Sequence, residues 1–192
     1  MLSNLKAYKV ILASKSPRRR ELLSNLGIDF DVVTLDTDES YPTNMPVNEV
    51  AAYLAFKKAE PFTAEKYTSH LIITADTIVC IENEILGKPE SREHAFEMLQ
   101  KLSGNDHKVI TGVCISTPKQ KKCFTSTTTV HFKTLNNSEI EYYIDNFKPF
   151  DKAGAYGIQE WIGYVAVERI EGSYFNVMGL PIQRLYEELR KI

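Results

Sequence analysis

Three arginines follow a proline at the start of a predicted helix. The run 14–21 reads SKSPRRRE, in which Ser16 suits an N-cap and Pro17 suits the first helical position. Cations at this end oppose the helix dipole, each at a cost of up to about 1 kcal/mol. Free N–H groups, the dipole and the arginines could instead converge on a phosphate, with Lys15 and two serine hydroxyls as further donors. The motif predicts either a solvated basic face or an anion site.

A carboxylate interrupts the most apolar run of the chain. Residues 71–80 read LIITADTIVC, which is typical of a buried strand, and Asp76 lies inside this run. An unpaired buried carboxylate is costly, so Asp76 needs a lysine or a metal ion beside it unless the strand ends near Thr74. Glu39, in the acidic run 36–39, is a second carboxylate that could be either solvated or functional. Such groups could hold a divalent cation or act as a base.

A glycine-containing segment follows a charged pair late in the chain. Residues 151–159 read DKAGAYGIQ, and glycines of this kind allow backbone to approach a ligand closely, although a plain glycine loop has the same composition. Lys58 and Lys88, taken alone, are ordinary surface lysines. The four histidines show no metal-ligand spacing, and neither G-x-x-x-x-G-K-[ST] nor G-x-G-x-x-G occurs.

Composition narrows the class of protein. The 192 residues include 23 Lys plus Arg and 25 Asp plus Glu, for a net charge of −2, which argues against a general binder of nucleic acid or anionic membranes. Cys80, Cys114 and Cys123 are few and widely spaced, so neither a disulfide framework nor a zinc site is expected. The longest apolar run is too short to span a membrane, and we expect a cytoplasmic protein.

Helices and strands alternate along the whole chain. This pattern predicts an α/β or α+β class with a mixed sheet and helices packed on it, in a single domain over residues 1–192. The predicted strands cover 9–13, 71–81, 107–116, 123–133 and 163–170. The predicted helices cover 17–26, 47–60, 91–102, 138–146 and 180–190.

Six ordered blocks of this sequence resemble the Maf family of nucleotide pyrophosphatases. They are the run 14–23, Ala75-Asp76-Thr77, Gly87-Lys88-Pro89, the pair 102–104 and 109–112, the run 151–159, and the pair 172–174 and 179–181. The resemblance implies a fold related to the inosine triphosphate pyrophosphatases (Maf/Ham1), with a long mixed sheet, helices on both sides and two inseparable lobes flanking a cleft. It also implies hydrolysis of a nucleoside triphosphate to the monophosphate and pyrophosphate, a divalent cation (Mg²⁺, or alternatively Mn²⁺), and a homodimer.

The resemblance assigns roles residue by residue. Asp76 matches the catalytic proton acceptor and, with Glu39, a metal-binding carboxylate. The phosphate-binding residues of the family match positions in the first motif and three lysines: Ser14, Ser16, Arg18, Arg19, Lys58, Lys88 and Lys152. Arg18, Thr77 and Gln159 match the selectivity positions of the branch acting on dTTP and UTP.

The glutamine gives this selectivity a chemical reason. The amide of Gln159 can donate to O4 of uracil or thymine and accept from N3–H, a pattern that cytosine and adenine do not offer. Modified pyrimidines such as 5-methyl-UTP and pseudo-UTP would fit as well. Two alternatives stay open: a purine triphosphate, including 7-methyl-GTP, or a non-catalytic nucleotide-binding regulator of septum formation. The chain departs from the family pattern at Lys57, beside Lys58, and at Glu160-Trp161, which follow the glutamine.

Overall fold

The computed structural model describes residues 2–63 and 65–192 of the chain. The strands are β1 (Lys9–Leu12), β2 (Asp31–Val32), β3 (His70–Ile81), β4 (Glu84–Leu86), β5 (Asp106–Ser116), β6 (Lys121–Phe132) and β7 (Val167–Glu171). The α-helices are α1 (Pro17–Ser24), α2 (Val47–Ala59), α3 (Arg92–Leu102), α4 (Asn137–Phe147), α5 (Trp161–Ala166), α6 (Tyr174–Val177) and α7 (Ile182–Leu189). Short 3-10 helices cover Ser3–Ala7, Glu60–Thr63, Glu65–Tyr67 and Ala153–Ala155.

The strands form one mixed seven-stranded sheet. Its order is β2-β1-β3-β5-β6-β7, with β4 paired to β3 off this path. β1 runs parallel to β2 and β3, whereas β4 runs antiparallel to β3 and β7 antiparallel to β6. The predicted mixed α/β class is therefore confirmed.

The chain forms two compact units built from interleaved segments. The first unit contains the N-terminal segment through Asp76 together with Thr111–Ser126 and Gly179–Ile192. The second contains Thr77–Ile110 and Thr127–Met178. Because both units are discontinuous in sequence, no single cut in the chain would release either one.

Residue types near the helix ends predicted most of the helices. Ser16 accepts a hydrogen bond from Arg19 N at the start of α1, and Ser91 does the same for His94 N at the start of α3, as N-cap chemistry predicts. The strand predicted over 163–170 is wrong in its first half, where residues belong to α5. A Cβ on Gly163 would lie 1.8 Å from the Ile158 carbonyl oxygen, so the chain turns tightly here instead of extending.

The strand that carries Asp76 does not end at Thr74. β3 continues through Asp76 to Ile81, and it is buried on both sides of the aspartate. The alternative in which Asp76 caps a turn is therefore wrong.

The cysteine spacing gives no sign of a disulfide that the structure contains. The structure joins Cys114 and Cys123 in a disulfide, with their Cα atoms 4.0 Å apart. They lie on neighbouring strands β5 and β6, whose connection over 117–120 is too short for a parallel crossover. The two cysteines are nine residues apart in the chain and face each other across a hairpin, which their spacing alone does not indicate. Cys80 is buried and free.

No helix in the described part of the chain is long and apolar enough to cross a membrane.

Candidate active site

A single ammonium group joins two of the predicted carboxylates. In the first unit, Nζ of Lys58 lies 2.5 Å from Oδ1 of Asp76 and 2.9 Å from Oε1 of Glu39. The side chains of Lys58 and Asp76 are 19% and 14% exposed, whereas that of Glu39 is 59% exposed. The partner that a partly buried Asp76 requires is thus a lysine from another element.

Close packing of α2 on the sheet puts Lys58 there. A Cβ on Gly112 of β5 would lie 2.1 Å from the carbonyl oxygen of Ala51, so only glycine permits this approach. Thr74 of β3 donates from its hydroxyl to the carbonyl oxygen of Ala55 at 2.6 Å. Asp76 lies two residues after Thr74 and hence on the same face of the strand, and Lys58 lies about one helical turn after Ala55. Sheet and helix periodicity together make the two side chains meet.

A second lysine holds the loop that carries Glu39. Nζ of Lys57 lies 3.0 Å from Oδ2 of Asp38 and 2.9 Å from the carbonyl oxygen of Ser40. Asp38 also accepts hydrogen bonds from the backbone N–H and the hydroxyl of Ser40. The two bonds from Ser40, followed by the bond from Lys57, hold the pKa of Asp38 well below its usual range. Consecutive lysines of α2 therefore bind consecutive carboxylates of one loop.

The first motif lies beside the same strand. Leu12 pairs with Ile73 in the parallel β1–β3 ladder, so the chain leaves β1 next to the Asp76 segment of β3. Oγ of the buried Ser14 accepts from the N–H of Ser16 at 3.2 Å, which closes the turn before α1. The parallel register brings the predicted phosphate-binding motif to the aspartate.

Arg19 is committed largely to protein oxygens. Its guanidinium donates to the carbonyl oxygens of Gly179 at 2.8 Å and Ala75 at 2.9 Å, and to Ser14 Oγ at 3.4 Å. Burial lowers its pKa, while the negative charge of Asp76 opposes this shift. Arg19 thus locks the loop before α1 to the strand segment next to Asp76. Arg18 is half-buried, and its positive charge also lowers the pKa of Arg19.

The other predicted residues lie in the second unit. Lys152 is buried, and its Nζ lies 2.7 Å from Oδ1 of Asp151 and 2.9 Å from Oε1 of Glu160. The N–H of Gly154 donates to the carbonyl oxygen of Gly87 at 3.0 Å, so the segment before Lys88 borders the one that carries Lys152. Lys88 is exposed, and Thr77 and Gln159 are half-buried.

The two carboxylates suit a divalent cation with phosphate present. Among residues 2–63 and 65–192, no group of three or more His, Cys, Asp or Glu side chains could hold a metal ion. Mg²⁺, however, usually binds through one or two carboxylates together with water and substrate phosphates. Asp76 and Glu39 already converge on one cationic group, so their oxygens meet this requirement.

Three residues that contact parts of the candidate site were not predicted from the sequence. Lys57 drew notice only as a departure from the family pattern, and its contact with Asp38 depends on how the loop folds. Glu160 likewise stood out only by its place after the glutamine. Tyr143 carried no signal, yet its hydroxyl contacts Glu160.

A family model described as Maf-like protein matches residues 9–192. A dTTP/UTP pyrophosphatase from Bacteroides thetaiotaomicron is 53% identical to this chain over 193 aligned positions, which cover 100% of both chains. A dTTP/UTP pyrophosphatase from Flavobacterium johnsoniae is 47% identical, over 96% of this chain and 95% of its own. The solved Ham1 protein of Staphylococcus aureus aligns with 65% of this chain and 71% of its own, at 18% identity and a TM-score of 0.48.

Proposed function

This chain belongs to the Maf-like protein family, and from that premise we propose that it hydrolyses dTTP and UTP to the nucleoside monophosphate and pyrophosphate. The observation that carries the proposal is the joint contact of Lys58 with Asp76 and Glu39, next to the capped start of α1. Full-length relatives named dTTP/UTP pyrophosphatase support the same substrates.

The chemistry is a displacement at the α-phosphorus. The oxygen of a water molecule attacks that atom, the bond to the bridging oxygen breaks, and pyrophosphate leaves with the bonding electron pair. Asp76 accepts the proton that the water loses. Lys58 orients Asp76 and Glu39 and neutralises part of the negative charge that the triphosphate brings.

Mg²⁺ or Mn²⁺ is part of this proposal. Asp76 and Glu39 would hold the ion, which when bound would neutralise charge on the phosphate oxygens.

The phosphates require further donors. In this proposal, the hydroxyls of Ser14 and Ser16 and the positive end of the α1 dipole serve the phosphates. The cations that assist them are Arg18, Arg19, Lys58, Lys88 and Lys152. Arg19 contributes mainly by holding the loop in shape, since its guanidinium bonds three protein oxygens.

Selectivity is proposed to depend on three side chains, namely Arg18, Thr77 and Gln159. The amide of Gln159 reads the uracil or thymine edge by donating to O4 and accepting from N3–H. A guanine base also offers an acceptor beside an N–H, so the purine alternative is retained as an outcome of the test.

The decisive experiment incubates the protein with dTTP, UTP, 5-methyl-UTP, CTP, dGTP and 7-methyl-GTP, each with Mg²⁺, with Mn²⁺ or with EDTA. Pyrophosphate and monophosphate are measured together. We expect both products, in equal amounts, from dTTP and UTP in the presence of either metal and none with EDTA. Preference for a purine triphosphate would overturn the pyrimidine assignment, and absence of pyrophosphate from every substrate would favour a non-catalytic nucleotide-binding regulator.

We further propose a cytoplasmic homodimer, as the family resemblance implies. Light scattering on the purified protein would check the mass, and a monomeric mass at working concentration would contradict the dimer.

A further inference from the structure

One tyrosine hydroxyl joins both ends of the turn that carries Gln159. In the second unit, the backbone N–H of Gly157 donates to the hydroxyl oxygen of Tyr143 at 3.0 Å. The same hydroxyl donates to Oε2 of Glu160. The N–H of Glu160 also donates to the carbonyl oxygen of Gly157 at 2.9 Å, which closes the turn. Gln159 is therefore held in a turn tied at both ends to a single group.

The group that ties the turn is itself rigidly held. Tyr143 is 0% exposed, and its ring stacks on Phe147 of the same helix with centroids 5.2 Å apart. The helix, α4, begins with a capping box between Asn136 and Glu139, which satisfies two backbone N–H groups. Burial, followed by the bond to Glu160, raises the pKa of Tyr143, so its hydroxyl stays protonated and able to donate.

Glu160 extends the link to Lys152. Its second oxygen, Oε1, lies 2.9 Å from the ammonium of Lys152. A Cβ on Gly157 would lie 2.9 Å from Cε of Lys152 and 3.0 Å from Cδ of Glu160, so glycine leaves room for both side chains against the turn. Gln159 and Lys152 are thus held in relation to each other by Tyr143 and Glu160.

We propose that Tyr143 is a positioning residue for base selection, acting with Glu160 to hold the backbone turn that carries Gln159, the residue proposed to distinguish uracil from cytosine. This inference rests on the proposed function, in which Gln159 reads the base. Selection of this kind depends on where the turn places the side chain, because displacement of the turn would let the same amide accommodate the reversed donor and acceptor pattern of cytosine.

The test compares UTP with CTP, which differ only at the edge that Gln159 is proposed to read. Tyr143→Phe keeps the ring in the core but removes both hydrogen bonds of the hydroxyl. We expect the ratio of kcat/KM for UTP over CTP to fall about tenfold, as the loss of one such contact would give. Most of the fall should come from a raised KM for UTP.

Tyr156→Phe is the matched control. Tyr156 is also buried in the second unit, and its hydroxyl bonds Nε2 of His107 at 2.7 Å instead of the turn. Loss of that hydroxyl should lower thermal stability to a similar extent while leaving the UTP:CTP ratio unchanged. A merely structural role for Tyr143 would make the two variants behave alike.

Glu160→Ala supplies a second route, since this side chain is 26% exposed, whereas Tyr143 is fully buried. It should also lower the UTP:CTP ratio. If the wild-type protein prefers UTP to CTP and both Tyr143→Phe and Glu160→Ala fold with the ratio intact, the positioning role is overturned while the proposed function stands. If the wild-type protein hydrolyses neither UTP nor dTTP, the proposed function itself fails.

Discussion

Lys58 and Asp76, 18 residues apart in the chain, form a partly buried ion pair at 2.5 Å between α2 and β3. This contact makes Asp76 tolerable inside a buried strand and brings it next to Glu39, which shares the same ammonium. The residues around the pair allow direct tests.

Replacing Asp76 by Asn should lower kcat strongly while the protein stays folded. The amide cannot accept the proton from water, so kcat for pyrophosphate release from dTTP should fall at least about 100-fold. Asp145→Asn is the control, because that carboxylate bonds Arg92 at the surface, at 2.8 Å, and takes no part in the site. A normal rate in Asp76→Asn would remove Asp76 from the mechanism.

Variants of the adjacent lysines should distinguish two roles, since Lys58 pairs with the charge of Asp76 and Lys57 holds the loop that carries Glu39. Lys58→Met leaves the partly buried Asp76 without its partner, so we expect a loss of about 1–3 kcal/mol in the free energy of unfolding, together with a loss of activity. Lys57→Met breaks a pair with the exposed Asp38, whose charge water screens, so the stability loss should be clearly smaller than that of Lys58→Met.

The kinetic signature of Lys57→Met should be a raised KM for dTTP, because the loop that carries Glu39 loosens. Urea unfolding and steady-state kinetics on both variants measure the difference. Equal losses of stability in the two variants would contradict the distinction drawn between Lys57 and Lys58.

Arg19→Lys should show that a charge alone is insufficient at this position. Lysine cannot reproduce a guanidinium that bonds Gly179, Ala75 and Ser14 at once, so we expect a loss of about 1–3 kcal/mol and a lowered kcat/KM. Arg20→Lys is matched, since Arg20 is exposed on the same turn of α1. A fully stable and active Arg19→Lys variant would show that the three contacts are dispensable.

His107 should make the stability of the protein depend on pH. Burial lowers its pKa from 6.5 to about 4. The charge of Asp106 raises this pKa and that of His131 lowers it, both by less than burial does. The unfolded chain therefore binds a proton at His107 more readily than the folded protein does. The contribution of His107 to the free energy of unfolding is fully present above pH 6.5 and is lost as the pH decreases toward 4. A shift of this size corresponds to about 3 kcal/mol.

Thermal unfolding between those pH values measures the effect. His107→Gln should flatten the pH dependence of the unfolding temperature. An identical slope in His107→Gln would assign the pH dependence to other groups.

The sequence by itself determined the features that depend on neighbours in the chain. Ser16 and Ser91 mark helix starts because a cap bonds an N–H three residues away, and β3 is visible because its apolar run is continuous. Asp76 stood out for the same reason, as a charge in that run. The family motifs then named candidate residues in each unit, though not the side chains that contact them.

Only the tertiary structure decided which side chains meet. The sequence left Asp76 with a choice of lysine or metal ion, and the packing of α2 against Gly112 and Thr74 selected Lys58. The disulfide between Cys114 and Cys123 and the bonds of Tyr143 to the Gln159 turn were likewise invisible. The physical reason is that hydrogen bonds and ion pairs act over a few ångströms of space, and the elements that bring such groups together are distant along the chain.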